Sequence, residues 1–196
     1  ADYIFINTGS KSVIPSIQGI QEAKHIYTSA TIMKETTLPK NLAIIGGGYI
    51  GLELASMYAR YGSQVTVFEL NERLVGREDE DVALEIQHIL ENQGVQFKFK
   101  SRVQEVSNQN EKAVIHYSQD ETRYIDRFDA ILLATGRSAN TADLGLENTG
   151  VQMNERGQII VNEYLQTDVP HIYAMGDVKG GLQFTYISLD DYRIVK

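Results

Sequence analysis

The chain has 196 residues, with 16 Gly, 3 Pro, no Cys and no Trp, and its 26 acidic against 18 basic side chains give a formal charge of −8. At about 150 residues per domain this length suits one large domain, or one domain with pieces of another, and such a core needs no disulfide or metal to fold. The acidity argues against a nucleic-acid or polybasic membrane surface, no apolar run nears the roughly 18 residues of a membrane span, and without cysteine there is no disulfide scaffold, thiolate metal site, thiol nucleophile or redox dithiol here. Ala1-Asp2-Tyr3-Ile4 does not read as a signal peptide, so a soluble, cytoplasmic protein is expected.

In chain order, Tyr3-Ile4-Phe5-Ile6-Asn7-Thr8-Gly9-Ser10 reads as a buried strand stopping at Gly9. Pro15 and Pro39 break an irregular stretch with a short helix expected near 29–34. Asn41-Leu42-Ala43-Ile44-Ile45 is an apolar strand, followed by Gly46-Gly47-Gly48-Tyr49-Ile50-Gly51. A helix then runs with Leu52, Ala55, Ser56 and Ala59 on one face, and Gly62 ends it. The strand Gln64-Val65-Thr66-Val67-Phe68-Glu69 closes a β-α-β unit of about 30 residues.

A second helix is expected over 80–92, with acids at its start, Gly94 at its end and Val82, Ile86, Ile89 and Leu90 sharing a face. Residues 95–100 alternate with the period of a half-buried strand, and 103–106 and 113–117 flank a hairpin around Asn108-Gln109-Asn110-Glu111. Asp129-Ala130-Ile131-Leu132-Leu133-Ala134-Thr135-Gly136 suits the middle of a parallel sheet. Short strands are expected at 158–161 and 171–175, and residues 188–196 read as a helix still running. Both ends lie inside structure, as in a piece of a longer protein.

Gly46-x-Gly48-x-x-Gly51 is informative through its setting of strand, helix, second strand and terminal acid. The first glycine permits a tight turn and the second lets backbone approach a diphosphate. The third lets helix pack on strand, while amides of the helix start, Tyr49 and Ile50 among them, face the phosphate charge. Glu69 lies 23 residues beyond Gly46, near the spacing of about 20 expected for an acid that accepts hydrogen bonds from an adenosine ribose. A carboxylate there repels a 2′-phosphate and favours NAD(H) over NADP(H). Leu70 and Asn71 bring no cation, and Arg73 and Arg77 are the nearest guanidiniums.

Four motifs in order resemble the flavin-dependent pyridine nucleotide-disulfide oxidoreductases, the family of lipoamide dehydrogenase, glutathione reductase and mercuric reductase. Residues 7–19 resemble the exit from a flavin domain, with Asn7 where alanine is usual. Residues 38–53 resemble the entry to the nicotinamide domain, Ala134-Thr135-Gly136-Arg137 the return, and Thr167-Asp168-Val169-Pro170-His171-Ile172-Tyr173-Ala174-Met175-Gly176-Asp177 the second flavin motif. The implied fold is α/β: a Rossmann-like, doubly wound NAD(P)-binding domain over 11–135, flanked by FAD-domain segments 1–10 and 136–196.

The resemblance also implies roles. Asp177 matches the carboxylate that binds the flavin ribityl chain, and Gln183-Phe184-Thr185 the segment whose amides face the flavin pyrimidine carbonyl. Tyr49 matches the ring that covers the flavin and swings aside for nicotinamide, and Glu53 the acid one helical turn on. In the intact parent, hydride would pass from NADH to FAD and on through a cysteine pair to a disulfide, metal or oxidant. Cysteine pair, acid-base His-Glu pair and the C-terminal domain of an expected homodimer would all lie outside these residues, leaving no catalytic residue and no metal site here. His25, His88, His116 and His171 are expected to be structural or exposed. The tail from Gln183 to Arg193 resembles the mercuric-reductase-like branch that includes reductases of reactive chlorine and hypothiocyanous acid. Two other readings stay open: an NADH oxidase or peroxidase with a single cysteine, and a non-catalytic NADH-sensing module.

Overall fold

In the computed structural model, which describes residues 1–196, the chain divides into two units: Ser12–Gly136, and Ala1–Lys11 together with Arg137–Lys196. Strands β1 (Ile4–Ile6), β2 (Ser10–Ser12) and β3 (Ile26–Thr28) precede a one-turn helix α1 (Ser29–Ile32), then β4 (Asn41–Ile45), α2 (Tyr49–Arg60), β5 (Gln64–Phe68), α3 (Glu80–Asn92) and β6 (Gln96–Lys98). Strands β7 (Ser101–Gln109), β8 (Lys112–Gln119), β9 (Thr122–Phe128) and β10 (Ala130–Leu133) follow. Beyond them lie β11 (Arg137–Ala139), β12 (Ile172–Ala174) and α4 (Thr185–Val195), with 3-10 turns at Leu146–Asn148 and Gly176–Lys179.

The larger unit is built on a parallel sheet ordered β3-β10-β4-β5-β6, with Leu42 beside Val65 on one side and Ala130 on the other. The central strands β4 and β10 read as nearly unbroken apolar runs because both faces are covered. Leu42, Ile44, Val65, Val67 and Leu132 enter one core with residues of α2 and α3. Their neighbours Ala43, Ile45, Phe68, Ile131 and Leu133 enter a second core with Val106, Ile115, Tyr117 and Phe128. The second face is therefore roofed by the antiparallel meander β7-β8-β9 in place of a second helix layer. Leu42 and Ile44 are wholly buried, which is worth about 1.5–3 kcal/mol for each such side chain. The two meander turns, Asn110-Glu111 and Asp120-Glu121, place both central residues at positive φ, the geometry that matches strand twist in two-residue hairpins.

Several expectations are corrected. Helix α3 spans the expected residues, yet it buries Ala83 and Leu90 and leaves Val82 and Ile89 exposed. The first strand is three residues long and mostly exposed, with Phe5 half exposed. The hairpin strands extend well past 103–106 and 113–117, and a third strand, β9, joins them. Residues 158–161 form no strand, only a bridge between Met153 and Ile159.

In the smaller unit β1 pairs in parallel with β12, Ile4 opposite Ile172. A separate core gathers Ala139, Leu146, Val151, Ile159, Ile172, Ala174 and Val178.

Candidate functional site

The sheet order sets the site. Strand β4 has its chain successor β5 on one side and β10 on the other, and at such a switch point ligands bind outside the strands' carboxyl ends. There the loop after β4 and the residues after β10 line one crevice of about 670 Å³, within the usual range of small-molecule sites. Gly46, Gly47, Gly48, Glu69 and Gly136 line it, with Ala134 and Thr135.

Each glycine of the loop meets a different constraint. Gly46 has φ +110, and a Cβ there would lie 2.4 Å from the Ala134 carbonyl oxygen. A Cβ on Gly51 would lie 2.2 Å from the Gly46 carbonyl oxygen, so loop and first helical turn pack without room for a methyl. Gly47, not singled out by the spacing, faces Leu74 and the Glu69 carboxylate. Gly48 differs: no atom lies within 4 Å of its Cβ position. It is also the N-cap of α2 and brings no side-chain acceptor to the first helical turn, whose N–H groups have no intrahelical carbonyl to bond.

Glu69 ends β5 and turns back onto the loop. Its Oε2 accepts the Gly47 N–H at 2.7 Å, and Oε1 accepts the backbone N–H and side-chain amide of Asn71 at 2.8 and 2.7 Å. These charge-assisted bonds, about 1.5–3 kcal/mol each, account for a carboxylate on a residue only 8% exposed. The segment after β5 also clasps the loop. Val75 N donates to the Gly47 carbonyl at 3.0 Å, from a backbone at φ +37, which is strained for a β-branched residue. Tyr49, at the start of α2, donates its hydroxyl proton to Glu78. Ile50 and Gly51 complete the first turn of α2, and Glu53 is exposed one turn on. Arg73, Arg77 and Arg102 line the crevice against the single acid Glu69, a local excess of positive charge in an acidic chain.

In the smaller unit Asp177 is the second residue of the 3-10 turn after β12. Its Oδ2 accepts the Ser10 hydroxyl at 2.6 Å, while Arg137 donates from Nε to Ser10 Oγ at 2.7 Å and from its terminal nitrogen to the Ser10 carbonyl. The preceding Gly176 sits at φ +69, and a Cβ there would meet Asn7 and Ser188. Its N–H donates to Asp191 of α4 at 2.7 Å, and the same carboxylate pairs with Lys179 at 3.3 Å, both side chains largely buried. Thr185 is the exposed first residue of α4, with Phe184 as N-cap.

The structure thus gathers Gly46, Gly48, Glu69 and Gly136 at one crevice with Tyr49, Ile50 and Gly51 in the helix start beside it, and joins Arg137 to Asp177 through Ser10. Asn71, Arg102, Ser10, Lys179 and Asp191 were not singled out by sequence reasoning. An Asn two residues past a strand-ending acid is the one signal that was available. His25 has φ +61 and a buried, unpartnered Nε2, and it does not line the crevice. No helix is long and apolar enough to cross a membrane.

Residues 1–191 match the family model described as pyridine nucleotide-disulphide oxidoreductase. The chain is 46% identical over 193 residues to the probable pyridine nucleotide-disulfide oxidoreductase RclA of Escherichia coli (strain K12), covering 98% of this chain and 43% of that protein. It is 37% identical over 188 residues to the mercuric reductase of Streptomyces lividans, covering 96% and 39%. It is 37% identical over 191 residues to the dihydrolipoyl dehydrogenase of Bacillus subtilis (strain 168), covering 97% and 41%. The solved Cu(II) complex of the HOCl-induced flavoprotein disulfide reductase RclA from Escherichia coli superposes with a TM-score of 0.91 at 45% identity, covering 99% of this chain and 44% of that one. The chain spans less than half the length of each of these relatives.

Proposed function

The chain belongs to the pyridine nucleotide-disulphide oxidoreductase family, and we propose that within it residues 12–136 bind NAD(H) while residues 1–11 and 137–196 contribute to FAD binding. The whole enzyme, on this reading, passes hydride from NADH to FAD and then electrons through a cysteine pair supplied elsewhere to a disulfide, metal or oxidant. Its E. coli relative, solved with Cu(II) and named as HOCl-induced, makes a metal or oxidant acceptor the reading to prefer for this chain as well.

When bound, nicotinamide and flavin supply the hydride chemistry; the protein's work is placement and charge. The open space above Gly48 fits a diphosphate, whose oxygens would accept from the amides at the α2 N-terminus. Glu69 would accept a hydroxyl of the adenosine ribose. Arg73, Arg77 and Arg102 offset the dianionic ligand's charge. In the other unit Asp177 has a second carboxylate oxygen with no protein hydrogen bond, which suits a flavin ribityl hydroxyl. The dipole of α4 at Thr185 favours negative charge on a reduced ring.

The observation that carries this reading is the Glu69 carboxylate, seated on the glycine loop's own amide in a crevice at the switch point. Isothermal titration with NADH tests it. Saturable binding is expected, weakened about tenfold or more in Glu69→Gln, whose amide nitrogen cannot accept. Absence of binding up to millimolar NADH would overturn it.

A further inference from the structure

We propose that Asn71 is a positioning residue that restricts Glu69 to a single hydroxyl of the bound sugar, an inference resting on the NAD(H) reading above. A carboxylate offers about four acceptor sites. Three are occupied within the protein: both on Oε1, by the Asn71 backbone and side-chain N–H groups, and one on Oε2, by Gly47 N–H. One acceptor site remains, on Oε2. A ribose presents two adjacent hydroxyls, so only one is accepted by this carboxylate and the other must turn elsewhere.

The arrangement is held from both ends. Glu69 is fixed by its own N–H to the Lys98 carbonyl and by Ser101 N–H to its carbonyl, each at 2.9 Å. Asn71 is fixed in turn by Lys100 N–H, which donates to its carbonyl at 3.0 Å. Asn71 therefore sets the direction in which Oε2 points. Without its side chain, Oε1 regains an acceptor site and the carboxylate can turn to engage either hydroxyl or both.

The test compares calorimetric affinities of this protein for NADH and for its 2′-deoxyadenosine and 3′-deoxyadenosine analogues. In the unsubstituted chain one analogue is expected to bind about tenfold more weakly than NADH and the other within threefold, the loss of one hydrogen bond to a charged group. In Asn71→Ala the two analogues are expected to come within threefold of each other. A general loosening of the fold lowers affinity for NADH and both analogues alike and leaves their ratio unmoved, so the ratio separates positioning from a merely structural role. Equal losses for both analogues in the unsubstituted chain, or an undiminished ratio in Asn71→Ala, would overturn the proposal. No NADH binding at all, or no loss with either analogue, would instead overturn the underlying site.

Discussion

Gly48 caps α2 and Gly51 lies in its first turn, yet alanine should harm them in opposite ways. At Gly48 the backbone is extended, φ −84 and ψ 179, and no atom lies within 4 Å of a Cβ. The free protein should accept Gly48→Ala with a stability change inside about 0.5 kcal/mol, as for an unhindered surface position. If the loop holds a diphosphate as proposed, the new methyl would occupy the layer in which a diphosphate oxygen would sit about 3 Å from the amides. Losing two charge-assisted amide–phosphate bonds at about 1.5–3 kcal/mol each should raise the NADH dissociation constant about 100-fold or more.

At Gly51 a Cβ would lie 2.2 Å from the Gly46 carbonyl oxygen and 3.3 Å from the Ala134 Cβ, so backbone must move. Overpacking costs about 1–3 kcal/mol, offset in part by the roughly 1 kcal/mol advantage of alanine over glycine inside a helix. Net destabilisation of up to about 2 kcal/mol should lower the melting temperature by about 2–4 °C per kcal/mol. Thermal unfolding by circular dichroism and NADH calorimetry on both variants give the comparison. Gly48→Ala binding NADH within threefold of the unsubstituted chain, at unchanged melting temperature, would refute the placement of the diphosphate.

Two further outcomes follow from buried and half-buried charges. Asp191→Leu should destabilise the smaller unit by about 3–5 kcal/mol, because it strands the Lys179 ammonium and the Gly176 N–H; Asp191→Leu with Lys179→Met should recover part of that loss in urea unfolding, and a double variant no better than the single would count against the ion pair. Burial pushes the Asp129 carboxyl up, but Lys112 and the Asn41 backbone N–H outweigh it and hold the pKa below its ordinary value. A depressed folded-state pKa contributes stability that is present above the unfolded value, about 3.9, and lost as pH falls through the folded one. Urea midpoints at pH 6 and pH 3 should therefore fall less in Asp129→Asn than in the unsubstituted chain, and equal falls would show that this carboxylate does not drive the acid response.

Much of the larger unit was legible because its determinants are local. The run from Leu42 to Ile45 can be satisfied only by cover on both faces, and the loop glycines, helix and strand-ending Glu69 follow at intervals that geometry fixes. What escaped is what depends on distant partners. In α3 the residues Val82, Ile86, Ile89 and Leu90 suggested one face. Leu90 and Ile86 do pack on the core, but Ala83 joins them while Val82 and Ile89 stay exposed, and a small side chain such as Ala83 carries little weight in an apolar pattern. Tyr3, Ile4 and Phe5 read as core by composition, yet the Tyr3, Phe5 and Tyr173 rings pack on one another at the surface. Asn71 and Asp191 act by holding a carboxylate or a main-chain N–H in place, and no periodicity announces that. The meander in place of a second helix layer was half seen, as one hairpin, because a roofing strand such as β9 with exposed Tyr124 and Ile125 does not show the alternation of a half-buried strand.

The opposite allegiances of Leu42 and Ala43 have a consequence for how this chain tolerates change in length. Since successive residues of β4, β5 and β10 feed different cores, deleting or adding one residue inside any of them would exchange the two sets wholesale, sending leucines to alanine-sized spaces and the reverse. The tip at Asn110-Glu111 carries no such obligation. It lies at the opposite end of β7 from Ser101 and Arg102, which line the crevice, so extra residues there would lengthen one meander loop and leave the crevice as it was, which marks it as the position at which this domain can be tagged or enlarged.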